Sequence, residues 1–200
     1  MLNQLSLQIF RRSLDEARQL RCRIESIDGA QLLDAGINTS GSIGAGLALA
    51  RICLGGQASV SLCPAVAAEL ASNHAVHVVS DHPLQACLGA QYAGWPVQTD
   101  DFFAMGSGPM RMARGREEML GALELGEASG QVVGVIESDK LPSESSIQLI
   151  ARECGVPASH VHLAIAPSSS IAGTVQVVAR SIETAMHKLH ELKFDVRTIV

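Results

Sequence analysis

The stretch "QVVGVIESDKLPSESSIQLIARECGVPASHVHLAIAPSSSIAG", Gln131 to Gly173, decides the fold. It opens on "QVVGVIES", a Val- and Ile-rich run of strand length that reads as a buried strand. "SESSIQLIARECG" reads as a helix that starts on serines and stops at Gly155. "HVHLAIAP" is a further strand, "SSSIAG" a turn, and "TVQVVARSIETAMHKLHEL" the long final helix. Strand, helix, strand, helix predicts a parallel pair joined by a right-handed crossover. In such a unit ligands gather beyond the carboxyl ends of the strands. Two loops fall there, residues 137–143 and 167–173.

Upstream, "MLNQLSLQIFRRSLDEARQL" reads as an amphipathic helix, and "CRIESIDGAQLLDAG" as a hairpin turning at Asp28-Gly29. "SIGAGLALARICLGG" is an Ala-rich helix ended by Gly55-Gly56. "ASVSLCP" and "HAVHVVSD" are expected strands, "HPLQACLGAQYAG" a short helix and "WPVQTDD" a strand. "FFAMGSGPMRMARGREEML" is expected to be a glycine turn leading into a helix or a helical turn. "GALELGEASG", residues 121–130, reads as a linker, which divides the chain into an N-terminal α/β unit, 1–126, and a β-α-β-α unit, 127–200.

Two hundred residues suffice to bury a sizeable core. Hydrophobic residues make up 47% and aromatics only 3%, so that core is built from Ala, Val, Leu and Ile and has little to stack on bases. A net charge of −5 with no lysine-rich run argues against nucleic acid or an anionic membrane as partner. No apolar stretch is long enough to span a bilayer, and the first helix carries charges where a secretory peptide would be apolar. The expected location is the cytoplasm. Five scattered cysteines, never spaced C-x-x-C, read as reduced and mostly buried.

Several motifs carry chemistry only weakly. "AMGSGP", Ala104 to Pro109, sets glycines on both sides of Ser107 but matches neither a phosphate loop nor a G-x-S-x-G nucleophile elbow. "SDHP", Ser80 to Pro83, reads as a cap, with Asp81 supplying the oxygen, ahead of a catalytic pair. Of seven histidines, His187 and His190 share a helix and His160 and His162 share a strand face; no zinc signature is present, so no metal is expected. In "VQVVARSIETAMHKLH", Val175 to His190, the residues Gln176, Arg180, Glu183 and His187 form a polar stripe opposite an apolar one. Taken alone, Arg180 and Glu183 read as a surface ion pair contributing about 0.3–0.5 kcal/mol.

Taken together, "GAGLALARICLGG", "SDHPLQACLGAQYAGW", "FFAMGSGPMRMA", "IESDKLP", "ECGVP" and "APSSSIAGTVQVVARSIETAMHKLH" resemble the methenyltetrahydromethanopterin cyclohydrolase family. They occur in family order from about Gly44 to His190. The resemblance implies a cytoplasmic α/β protein of two domains with the pterin in the cleft between them, a homotrimer, and no metal or separate cofactor. It implies reversible hydrolysis of the methenyl bridge of 5,10-methenyltetrahydromethanopterin to the 5-formyl form, a step of one-carbon metabolism. The family's catalytic arginine and glutamate, three apart on one helix, fall on Arg180 and Glu183. Gly106, Ser107 and Gly108, with Lys140, Ser168, Ser170 and Gln176, are the expected substrate-binding residues. Departures are "PSSS" where relatives often have Pro-Thr-x-Ser, and "LGAQ" where a serine commonly precedes Gln91. Family members also continue beyond "KFDVRTIV", so the C-terminal domain is expected to be incomplete. The alternative reading is therefore a truncated, non-catalytic module that binds pterin or supports assembly.

Overall fold

A computed structural model describes residues 1–65 and 73–199, and the strand–helix–strand unit lies at its centre. β7 (Val132–Glu137) and β8 (Val161–Ala166) pair in parallel, from Val132 opposite Val161 to Glu137 opposite Ala166. Neither strand alternates polar with apolar because both faces are covered, and all six residues of β8 are buried. The crossover helix α5 (Glu144–Cys154) starts where Ser143 Oγ accepts from the Ser146 amide and stops at Gly155, whose φ of 69° is left-handed.

The sheet grows outward on both sides of this pair. β2 (Ala30–Asp34) adds in parallel to β8, and β1 (Arg23–Ile27) pairs antiparallel with β2. Asp28 and Gly29 take φ values of 49° and 80°, the positive values that a tight hairpin turn requires. On the other side β6 (Phe103–Ser107) and β5 (Trp95–Gln98) add antiparallel, giving the order β1-β2-β8-β7-β6-β5. The α/β class is thus observed, and one sheet takes strands from both sides of position 126.

Two layers cover the sheet. Val133, Val135 and Ala164 meet α1 (Leu2–Asp15) and α2 (Ile43–Cys53) through Leu7, Phe10, Ala45 and Leu49. The alternate residues, Val132, Ile136, Leu163 and Ile165, meet α5 and α3 (Met110–Arg114) through Ile147, Ile150 and Met110. The expected linker runs irregularly from Leu123 to Gly130 after α4 (Glu118–Ala122). Its Glu127 carboxylate accepts from the amides of Leu2 and Asn3 at 2.6 and 2.9 Å, placing negative charge at the start of α1.

Five local expectations change. Phe103–Ser107 is a strand, not a turn, because β6 pairs with both β5 and β7 before Gly108 turns the chain. Leu84–Gln91 winds as a π-helix, closed by Tyr92 N donating to Cys87 O at 3.0 Å. The expected Asp81 cap does not form: Pro83 precedes the helix with no side-chain cap, and Ser80 Oγ accepts from the His82 amide at 3.0 Å in the turn before it. The "SSSIAG" turn becomes the start of α6 (Ile171–Val178), and the long final helix breaks at Ala179–Arg180 before α7 (Ser181–Glu191). β3 (Ser59–Pro64) and β4 (His74–Val79) form a separate antiparallel pair. Among the described residues, no helix is long and apolar enough to cross a membrane.

Candidate active site

The carboxyl ends of β7 and β8 deliver the first side chains. β7 ends on Glu137, and after β8 the chain turns through Pro167 to Ser170, whose Oγ caps α6 by accepting from the Gly173 amide at 3.0 Å. Gly173 packs so closely on this turn that a Cβ would lie 1.8 Å from the Pro167 carbonyl oxygen. The approach seats α6 directly over the strand end and carries Gln176 inward.

Beyond Gln176 the helix breaks. Arg180 N donates to Val177 O, three residues back, at 3.0 Å, and the Ala179 carbonyl accepts instead from Gln91 Nε2 at 3.2 Å. The break turns the stripe of Gln176, Arg180 and Glu183 inward. Gln176 is fully buried and Glu183 only 3% exposed, while Val177 and Val178 are 38% and 47% exposed. The polar stripe is therefore buried as well, while Ala179 and Met186 of the apolar stripe stay in the core. Hydrogen bonds among Gln176 Nε2, Arg180, Glu137 and Glu183 offset part of the cost of that burial.

Arg180 Nη1 donates to Glu137 Oε1 at 2.5 Å, and Nε and Nη2 donate to Glu183 Oε2 at 3.3 Å each. Gln176 Nε2 donates to the same Glu137 oxygen at 3.0 Å. Burial pushes the Glu183 carboxyl above its ordinary value; the charge and hydrogen bonds of Arg180, then Arg111 and His187, pull the other way and lose. For Arg180 burial opposes the charge, but Cys53, Glu137 and Glu183 outweigh it and hold the guanidinium above its ordinary value. Among the described residues, Gln91 Oε1 and Gln176 Oε1 are buried acceptors without a hydrogen-bond partner.

A concavity of about 430 Å³ opens at this edge of the sheet, lined by Phe103, Met105, Glu137, Ser138, Lys140 and Ser168 among others. Glu137 joins it to the Arg180–Glu183 pair. Lys140 and Ser168 line the concavity, whereas Gln176, Arg180 and Glu183 form a buried network that meets it at Glu137. Lys140 Nζ also donates to the Asp101 carbonyl, and Ser170 is occupied as a cap.

The glycine segment lies deeper and does not line the concavity. Ser107 Oγ donates to Val135 O and meets Cys53 Sγ, both at 3.1 Å. Gly106 makes room for Met110, and Gly108, at φ 92°, passes close to Gly134 while its amide donates to Ala90 O at 2.7 Å. Among the described residues no group of three or more His, Cys, Asp and Glu is arranged to hold a metal. His187 stacks on Tyr92 at 4.4 Å and His162 is buried beside Phe10, so these histidines serve separate neighbourhoods.

Two residues of the network were not foreseen from sequence, Glu137 and Gln91. Glu137 carried a signal, since it is the acidic residue that ends a buried strand. Gln91 is the polar residue closing the small-residue run "LQACLGAQ" and carried little.

Fold and site together define an α/β protein with a buried arginine–glutamate pair at the carboxyl edge of its sheet. The chain belongs to the cyclohydrolase (MCH) family, whose family model matches residues 1–200. It is 54% identical over 178 residues to the methenyltetrahydromethanopterin cyclohydrolase of Rhodopirellula baltica, a match covering 88% of this chain and 53% of that protein. It is 39% identical to the protein of that name from Methylobacillus flagellatus, over 100% of this chain and 61% of the relative. For that of Methanococcoides burtonii the identity is 37%, over 99% and 62%. The chain thus spans 53% to 62% of the length of these curated relatives.

Proposed function

We propose that the chain carries the catalytic pair of a cyclohydrolase that opens the methenyl bridge of 5,10-methenyltetrahydromethanopterin to the 5-formyl form, reversibly. One observation supports this reading most. In a chain of this family, Glu183 is a buried carboxylate of raised basicity, linked through Arg180 to Glu137 on the concavity.

The substrate is an amidinium-like cation with an electrophilic bridging carbon. Water attacks that carbon and loses a proton to Glu183, an effect contributing about 10²–10⁴-fold. Collapse of the tetrahedral adduct forms the formyl C=O and breaks the bond to the second bridging nitrogen, which takes up one proton; a second proton leaves to solvent. Arg180 orients Glu183 and the water and stabilises the developing oxyanion. The substrate brings its own positive charge to the reacting carbon, so the reading needs neither metal nor separate cofactor, and a chelator should leave turnover unchanged. Lys140 and Ser168, exposed at the concavity, are assigned to substrate contact, with Gln176 holding Glu137 behind them. Gly106, Ser107, Gly108 and Ser170 shape the surrounding backbone. A cytoplasmic homotrimer in one-carbon metabolism is the assembly and setting we propose on the family resemblance; sedimentation velocity tests the trimer.

The decisive experiment follows loss of the methenyl-pterin absorbance beside a binding titration. The parent should turn over, and Glu183→Gln should be slower by about 10²–10⁴-fold with binding retained. Turnover by Glu183→Gln near that of the parent removes Glu183 as base. Binding without turnover by the parent supports a pterin-binding module instead.

A further inference from the structure

The Arg180 guanidinium is divided between two carboxylates. Its Nη1 lies 2.5 Å from Glu137 Oε1, while Nε and Nη2 converge on a single oxygen of Glu183, Oε2, at 3.3 Å. The closer contact comes from a different element: Glu137 ends β7, 43 residues earlier in the chain. Gln176, one turn before Arg180, donates to the same Glu137 oxygen and holds that carboxylate in place. The two acids also differ in access, the Glu137 side chain being 24% exposed and that of Glu183 4%.

An arginine that meets one carboxylate alone tends to engage both of its oxygens in a fork. Such a fork on Glu183 would occupy the two oxygens that a base needs. The observed arrangement avoids it, because one edge of the guanidinium is already committed to Glu137. We propose that Glu137 is a positioning residue for the hydrolysis: it anchors Arg180 from β7, keeps the guanidinium on Glu183 Oε2, and leaves Glu183 Oε1 to accept the proton of the attacking water. The inference rests on the reading of Glu183 as the base.

The groups facing Glu183 decide how the arrangement responds to pH. Arg180 and His187 face it from its own segment, Arg111 from α3, Cys53 from α2, and Cys87 and Tyr92 from the π-helix and its end. Glu137 adds a negative charge on the far side of Arg180, with Asp139 and Lys140 beside it at the concavity. Neutralising Glu137 frees the whole of the Arg180 charge for Glu183, which then holds its proton less tightly. The sign is therefore a titration displaced to lower pH.

The test uses Glu137→Gln in the full chain, with the Glu183 carboxyl followed by carbon NMR of glutamate-labelled protein and assigned by its loss in Glu183→Gln. The expected result is a Glu183 titration about one pH unit lower than in the parent. In the same variant kcat for the methenyl pterin should fall about a hundredfold, with KM little changed. Glu137→Asp retains the charge but retracts it, so it should give a smaller displacement in the same direction, and it serves if Glu137→Gln does not fold. An unmoved Glu183 titration in a folded variant overturns the proposal. A displaced titration in the variant, beside a parent that binds the pterin without turnover, supports the hold of Glu137 on the pair and overturns the hydrolysis reading instead.

Discussion

Gln91 and Ala179, 88 residues apart, meet where the final helix breaks: Gln91 Nε2 donates to the Ala179 carbonyl at 3.2 Å in a fully buried contact. The contact satisfies a carbonyl at the point where the regular helical ladder is interrupted, one residue before Arg180. The π-helix thereby supports the geometry of the site without itself lining the concavity.

Replacing Gln91 by Leu keeps the volume and removes the donor, leaving the Ala179 carbonyl unpaired. The expected loss is about 1–3 kcal/mol of folding stability, read as a lower urea midpoint at unchanged m-value. An unchanged midpoint would mean that the break is held by packing alone.

Arg180→Lys replaces a planar fork by one ammonium, which cannot reach Glu137 and Glu183 with the same three contacts. Turnover of the methenyl pterin should drop by about 10²-fold, as when one oriented donor is removed from an oxyanion site. Steady-state kinetics beside the parent check this, and wild-type rates would reduce Arg180 to a point charge.

The proposed role of Glu183 predicts that activity and stability respond to pH in opposite directions. Its folded-state proton affinity is raised, so its contribution to stability is fully present below the ordinary value of 4.5 and is lost as pH rises through the raised value. With Glu183 as the proposed base, hydrolysis needs the ionised form and should appear as that stability is lost. Glu183→Gln removes the penalty, so its melting temperature should exceed that of the parent at pH 8, with the advantage vanishing near pH 4. A lower melting temperature at pH 8 would show that the ion pair outweighs the burial cost.

Gly173 and Gly121 make a controlled pair. A Cβ at Gly173 would sit 1.8 Å from the Pro167 carbonyl oxygen, whereas one at Gly121, within α4, would meet nothing within 4 Å. Gly173→Ala should cost about 3 kcal/mol or more, or prevent folding. Gly121→Ala should gain about 0.5–1 kcal/mol of helix stability. Thermal melts of both variants decide the matter.

Much of the fold was legible. The buried strands 132–137 and 161–166, the Asp28-Gly29 hairpin and the helix stopped at Gly155 all follow from local rules of period, turn chemistry and capping. The strand at Phe103–Ser107 was not, because the glycine and serine of "FAMGS" signal a turn locally and only pairing with β5 and β7 makes it extended. The break at Arg180 was hidden for a similar reason. Residues Thr174 to Leu192 hold neither Gly nor Pro, and the interruption depends on a glutamine from a distant segment.

The amino-acid sequence by itself determined the α/β order of elements, the parallel pair and the adjacency of Arg180 and Glu183 on neighbouring turns, since each depends on residues close in the chain. Only the tertiary structure decided that the polar side of the last helices faces inward, that Glu137 shares the guanidinium, and that burial prevails over Arg180 in setting the proton affinity of Glu183. Those outcomes depend on what β7 and the π-helix bring against the helix break, and desolvation and hydrogen bonding act between groups that meet only in the folded chain.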